Sequence, residues 1–315
     1  MKVHLTFDIE IWCNGWHMLD ERFPAQFERY VYGRSSQGEF ALPKTLEILK
    51  RNGLRAVFFV ETLFSARFGE RYLREVANFI DDAGHDVQLH LHPEWIDEIH
   101  PPLIPAGHGK RQHLSAYSVE EQATLIKWGK DALERILLRP VTVFRAGSFA
   151  ANRDTYLALE QAGLRVDSSL NETSEVSLVD LPRAEPFQSA RRVGPIWSYP
   201  VTVFQDGFGR LRPAQINGCS FAEMRNALVS AERRGVKHFV IVSHNFEMLR
   251  PGLSEPDDLV VQRFEQLCAW LAARPDRFDV CAFPLSPQTG PETRPEVALG
   301  STVMRHAEQL WRRMR

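Results

Sequence analysis

No stretch of this 315-residue chain is apolar for long enough to span a membrane. Its N-terminus shows neither a basic leader nor an apolar segment with a cleavage site, which points to a cytoplasmic protein. An excess of either charge is also lacking: 38 Lys and Arg stand against 40 Asp and Glu, a net charge of −2. That balance argues against a partner gripped through nucleic-acid phosphates. Cysteine is scarce, with Cys13, Cys219, Cys268 and Cys281 scattered and no C-x-x-C pair. Neither a zinc finger nor a disulfide framework is indicated, and free thiols are expected. The remainder is ordinary globular material, 44% hydrophobic and 25% charged. It suffices for one large α/β barrel with extensions or for two small domains.

The informative stretch is Gly84 to Trp95, which reads as a β-strand ending in His90 and His92 and stopped by Pro93. Side chains two apart on a strand leave the same face, so the imidazoles point one way and Leu89 and Leu91 the other. Two neutral imidazoles at a strand end suit a divalent metal. Val3 to Glu10 shows the same alternation and ends in Asp8 and Glu10, again on a common face. Either pair alone is weak, but four such groups on two strand ends suggest a shared site.

The rest of the chain alternates strands and helices. An aromatic-rich loop from about Ile11 to Phe40 contains Trp12, Trp16, Phe23, Tyr30 and Tyr32, as lids and binding loops do. Helices are predicted over 42–52, 70–83, 118–138, 153–162, 220–234 and 256–273. Ser118 and Glu121 form a candidate capping box. Strands are predicted over 55–60, 141–144, 164–167, 238–244 and 278–283, with an extended insertion at 194–208. This rhythm indicates a parallel sheet. Asp8, Glu10, His90, His92, Arg145, Asp167 and His244 all fall at the C-terminal ends of predicted strands, where α/β folds assemble their sites.

At these residues the chain resembles the polysaccharide deacetylase family (NodB homology, carbohydrate esterase 4-like) over roughly residues 1–285. Thr6-Phe7-Asp8-Ile9-Glu10, Gly84 to His90, Phe144-Arg145-Ala146-Gly147-Ser148, Val166-Asp167-Ser168-Ser169 and Val240 to His244 follow the order of its five motifs. The resemblance implies a distorted (β/α) barrel of about seven parallel strands over residues 1–285; the β insertion is read as an addition to it, and a C-terminal helical extension over 286–315 lies beyond it. It implies metal-assisted removal of an N-acyl group from an amino sugar, the substrate being an N-acetylated sugar or a sugar-linked carrier. The metal is expected to be Zn²⁺, acidifying a bound water toward pH ~7. Asp8 would be the general base and His244 the acid that protonates the departing amine. Arg145 would hold Asp8 ionised, and Asp167 would hydrogen-bond His244.

Two departures from the family pattern touch the metal. Ile9 stands where a second aspartate is usual, so Glu10 becomes the candidate ligand. The histidines are two apart rather than four, so His92 joins His90, with Glu94 as the fallback. Two other readings stay open: an allantoinase-like amidohydrolase acting on a small non-sugar amide, with or without a metal, and an inactive saccharide-binding barrel. His4 reads as a buried polar residue, while His100, His108 and His113 lie in a loop. Trp12, Trp95 and Phe149 are candidates to stack on a sugar, with core or lid packing as the alternative. In the tail, Met304, Leu310, Trp311 and Met314 with Arg305, Arg312, Arg313 and Arg315 suggest a basic amphipathic helix. Docking on its own barrel or a partner subunit is one role, and peripheral attachment to an anionic membrane the other.

Overall fold

A computed structural model describes residues 1–105, 109–177 and 187–314; His108 and Arg315 lie outside the described residues. The chain forms two compact units, one of residues 1–56, 202–282 and 293–315, the other of residues 57–201 and 283–292.

In the first unit Lys2–Ile9 lies parallel to His238–His244, with Asp8 opposite His244, and pairs also with Asp279–Val280. Val3 through Ile9 are all buried, as expected of a parallel strand covered on both faces. The expected loop after this strand contains a helix, Leu19–Val31, which buries Leu19, Phe23, Phe27 and Val31 along one stripe. Its start has no side-chain cap, and Pro24 sits inside it, removing one backbone donor. Burial of the two phenylalanines outweighs both losses, and both had hidden the helical period.

The tail forms a helix, Leu299–Met314, whose polar residues face inward. Ser301, Thr302 and Arg305 are buried. The Arg305 guanidinium donates to Glu223 and Asp206 at 3.0 Å each, and Arg312 donates to Asp257. Leu299, Val303, Met304, Leu310 and Trp311 are left exposed. The helix is amphipathic, but two of its basic residues are spent on the protein's own carboxylates.

In the second unit Val57–Glu61, Asp86–Leu91, Val143–Ala146, Val166–Asp167 and Ile196–Ser198 run parallel in that order, and Arg191–Val193 pairs antiparallel to the last. The expected insertion is thus divided. Ile196–Ser198 is a strand of the main sheet, and only Val203–Gln205 with Leu211–Pro213 forms a separate hairpin, in the first unit. The helix Val119–Leu137 starts at the Ser118/Glu121 capping box read from the sequence. Its Gly129 lies against the sheet so closely that a Cβ there would be 2.6 Å from Thr62 Oγ1 and 2.9 Å from Leu89.

Candidate active site

In the first unit, strand pairing sets Asp8 beside His244, and Glu10 follows just past the strand end. Asn245 holds the backbone there, its side chain accepting from Glu10 N at 3.1 Å and donating to Glu10 O at 3.1 Å. Trp12 Nε1 donates to Glu10 Oε2 at 2.8 Å, and Glu10 Oε1 lies 3.8 Å from His244 Nε2. Asp8, Glu10 and His244 each bring a potential ligand atom within 4.8 Å of the others.

His244 Nδ1 bonds Glu247 Oε1 at 2.8 Å. Glu247 also accepts from Gln215 at 2.6 Å and from Ser243 Oγ at 2.8 Å. Burial works against a charged imidazole, but the Glu247 hydrogen bond and the charges of Glu10, Glu247 and Asp8 prevail, raising His244 to about 9. The partner expected for His244 was Asp167; the structure gives that role to Glu247, three residues along the same turn.

In the second unit, register sets Glu61 beside His90 and His90 beside Arg145, so the three share a face. His90 Nδ1 lies 2.8 Å from the Arg145 carbonyl oxygen. A carbonyl only accepts, so Nδ1 carries the hydrogen and the lone pair of the neutral ring is on Nε2. His92 Nδ1 lies 3.3 Å from Glu94 Oε2, and the two imidazoles are 4.9 Å apart at 75°. Gly147 is what allows this position, because a Cβ there would be 2.6 Å from His92 Nδ1. The next two residues, Ser148 and Phe149, both adopt left-handed backbone (φ 55° and 59°), a local strain beside the imidazole.

Glu61 accepts from Leu63 N, Phe64 N and His92 N. Burial raises its pKa to about 7 against those bonds. Arg145 donates through Nε to Ser168 O and through Nη2 to Ser168 Oγ, both at 3.0 Å, with its guanidinium 4.2 Å over the Phe59 ring. Asp167 accepts from Tyr156 at 2.9 Å, from Ser169 Oγ at 2.5 Å and N at 3.0 Å, and from Ser198 at 3.3 Å. Burial pushes the Asp167 pKa up, opposed by these donors.

Of the three candidate sugar platforms, Trp12 and Phe149 are half-buried. Trp95 is 1% exposed and packs edge-on against Phe68, so it is a core residue and offers no face to a sugar. The turn Pro93–Glu98 that follows His92 carries it inward. Glu61, Asn245 and Glu247 were not anticipated. Each stands at or just after a strand end, the criterion that had picked out Asp8 and His244, and could have been found by applying it throughout.

Residues 32–166 match the polysaccharide deacetylase family profile. No curated protein matches the sequence. Among solved structures, one provisionally named a polysaccharide deacetylase from Mycobacterium smegmatis superposes with a TM-score of 0.52 at 19% identity, covering 98% of this chain and 90% of that one. A family 4 carbohydrate esterase from Streptomyces lividans, solved with acetate, gives 0.45 at 16%, covering 93% and 97%. A family 4 pseudoenzyme from Bacillus anthracis gives 0.42 at 13%, covering 88% and 62%. The match over residues 32–166 supports a polysaccharide deacetylase relationship for that stretch, and the α/β fold is that of the polysaccharide deacetylase structures.

Proposed function

We propose that this protein is a metal-dependent hydrolase that removes the acetyl group from the nitrogen of an N-acetylated sugar or sugar-linked carrier. The observation that carries the reading is the cluster of Asp8, Glu10 and His244 with Glu247 behind the imidazole. It supplies a carboxylate base and a cationic acid in opposed environments, as amide hydrolysis requires.

The donor chemistry suits a divalent cation: His90 and His92 each engage Nδ1 with an oxygen, as metal-bound histidines do. In this proposal His90, His92 and Glu10 hold the ion, expected to be Zn²⁺. When bound, it supplies Lewis-acid polarisation and an acidified water. Asp8 takes the proton from the attacking water. His244, kept protonated by Glu247, gives a proton to the amine nitrogen as the C–N bond breaks. Trp12 fixes the Glu10 carboxylate, and Glu94 orients His92.

The test is acetate release by the zinc-loaded protein from a panel of N-acetylated sugars, with metal content measured in parallel. Asp8→Asn should abolish turnover, general-base catalysis being worth about 10²–10⁴ in rate, and His244→Ala should do so without loss of metal. Full activity in Asp8→Asn, or undiminished activity after exhaustive chelation, counts decisively against the proposal.

A further inference from the structure

The helix Leu299–Met314 turns its polar side to its own protein and its apolar side to water. Asn226 donates to Ser301 Oγ at 2.6 Å, and Gly207 N to Thr302 Oγ1 at 2.9 Å. Arg305 donates to Glu223 and Asp206, Arg263 donates to Glu308 at 2.6 and 2.9 Å, and Arg312 donates to Asp257. All of these residues belong to the first unit. Contacts from Ser301 to Arg312 therefore fix the rotation of the helix about its axis, and with it the direction of the opposite face.

That opposite face carries no charged side chain from Leu299 to Arg312. At about 100° per residue, Leu299 and Gly300, Val303 and Met304, Ala307, and Leu310 and Trp311 share an arc of about 140°. All of them are exposed, while Arg305, Glu308 and Arg312 fall outside the arc. The five large side chains among them are between 41% and 61% exposed. The patch continues onto the neighbouring hairpin, where Phe208, itself exposed, meets the His306 ring at 5.6 Å. Six large side chains about half exposed leave roughly 600 Å² of apolar surface, the upper end for an ordinary monomer and near the ~800 Å² that each partner gives a standard interface. Apolar residues exposed singly need no explanation, but a contiguous patch of this size does.

Spacing within the arc selects the occupant. Gly300, Val303, Ala307 and Leu310 recur at intervals of three and four residues, the seam of two helices packed along their length. An identical helix laid antiparallel, with the two-fold axis level with Arg305, sets Leu310 over Gly300 and Val303 over Ala307. Each layer of the seam then pairs a larger side chain with a smaller one. A parallel pair would set Gly300 against Gly300 and leave a gap. A Cβ at Gly300 would meet nothing within 4 Å in its own chain, so the space there is open to the partner helix. An anionic lipid surface fits less well, because Arg305 and Arg312 are bonded to carboxylates on the far side of the helix and the chain carries a net charge of −2.

We propose that this face is a dimer interface, on which a second copy of the chain lays its own Leu299–Met314 helix antiparallel. The inference is independent of the deacetylase reading.

The mass of the full chain is measured by light scattering and sedimentation up to about 100 µM. The expected result is a dimer, with association weakened about 100-fold or more in Val303→Glu/Leu310→Glu, which sets unpaired charges in the seam. Both positions are exposed, so the variant should keep the circular dichroism of the parent. Disulfide trapping under mild oxidant decides the arrangement even where that variant misfolds. Gly300→Cys and Leu310→Cys, each in a Cys281→Ser background, should cross-link when mixed and not when oxidised separately. Cross-linking of each variant with itself overturns the antiparallel pairing. A dimer that persists in the folded double variant, or a parent chain that stays monomeric at about 100 µM, overturns the interface. A monomer that binds phosphatidylglycerol vesicles, and loses them in Val303→Glu/Leu310→Glu, overturns it in favour of a lipid surface.

Discussion

Acidification from pH 7 to pH 5 should destabilise this protein by about 2 kcal/mol through one buried pair, His4 and His238. His4 is 0% exposed and His238 6%. His4 Nδ1 lies 2.9 Å from the Cys281 carbonyl, so it carries the hydrogen, and His4 Nε2 must accept from His238 Nδ1 at 3.0 Å. The rings stack at 5.3 Å and 11°. A second proton would place a charge where no water reaches and beside another imidazole. Burial first, and the charge of His238 second, lower His4 to about 3 from its ordinary 6.5.

The folded state therefore binds fewer protons than the unfolded chain between those values. This contribution to stability is complete above about 6.5 and is lost progressively as pH falls toward about 3. At pH 5 the unfolded histidine lies about 1.5 units into its protonation, and at 1.36 kcal/mol per unit that is about 2 kcal/mol. Urea denaturation of wild type and His4→Leu at pH 7, 6 and 5 measures it. The variant should be less stable at pH 7, because the Cys281 carbonyl and the His238 donor lose a partner, yet it should lose about 2 kcal/mol less on acidification. If the two proteins differ by less than about 0.5 kcal/mol in their pH dependence, the pair is not what makes the fold acid-sensitive.

Two further outcomes follow from the site. Gly147→Ala sets a Cβ 2.6 Å from His92 Nδ1, so the ring must move; zinc affinity should fall about 10-fold or more, read by competition with a chromogenic chelator. Glu247→Gln removes the hydrogen bond that chiefly raises His244. The alkaline limb of the kcat profile should then move to lower pH, and an unmoved limb would mean that His244 is not the group titrating there.

The strands that carry the motifs were legible because each is an apolar run closed by a polar residue, a pattern that solubility alone does not produce. His238–His244 is an example. The helix starting at Ser118 was legible for the same local reason, Ser118 with Glu121 satisfying end donors within four residues; the structure has a second such box, Ser220 with Glu223, which was not read from the sequence. Leu19–Val31 was not, because its stripe of Leu19, Phe23, Phe27 and Val31 is interrupted by Pro24 and embedded among other aromatics. Trp95 failed as a platform because nearness in sequence to His92 does not fix direction.

The exchange of Asp167 for Glu247 goes deeper than a relabelling. Asp167 is surrounded by four donors from three residues, Tyr156, Ser169 and Ser198, none of them cationic. It ties together the strands Val166–Asp167 and Ile196–Ser198, a structural duty that leaves its carboxylate little to offer an imidazole. Glu247 sits on the turn that begins at His244 itself, so the proposed acid and the carboxylate bonded to it are delivered by one stretch, Ser243-His244-Asn245-Phe246-Glu247. Asn245 of that same stretch clamps the Glu10 backbone, and Phe246 stacks on His244. The proposed proton donor and the backbone of Glu10 are thereby coupled through five consecutive residues. A change in any one of them should disturb the proposed catalysis, whereas the Asp167 cluster should answer mainly in stability.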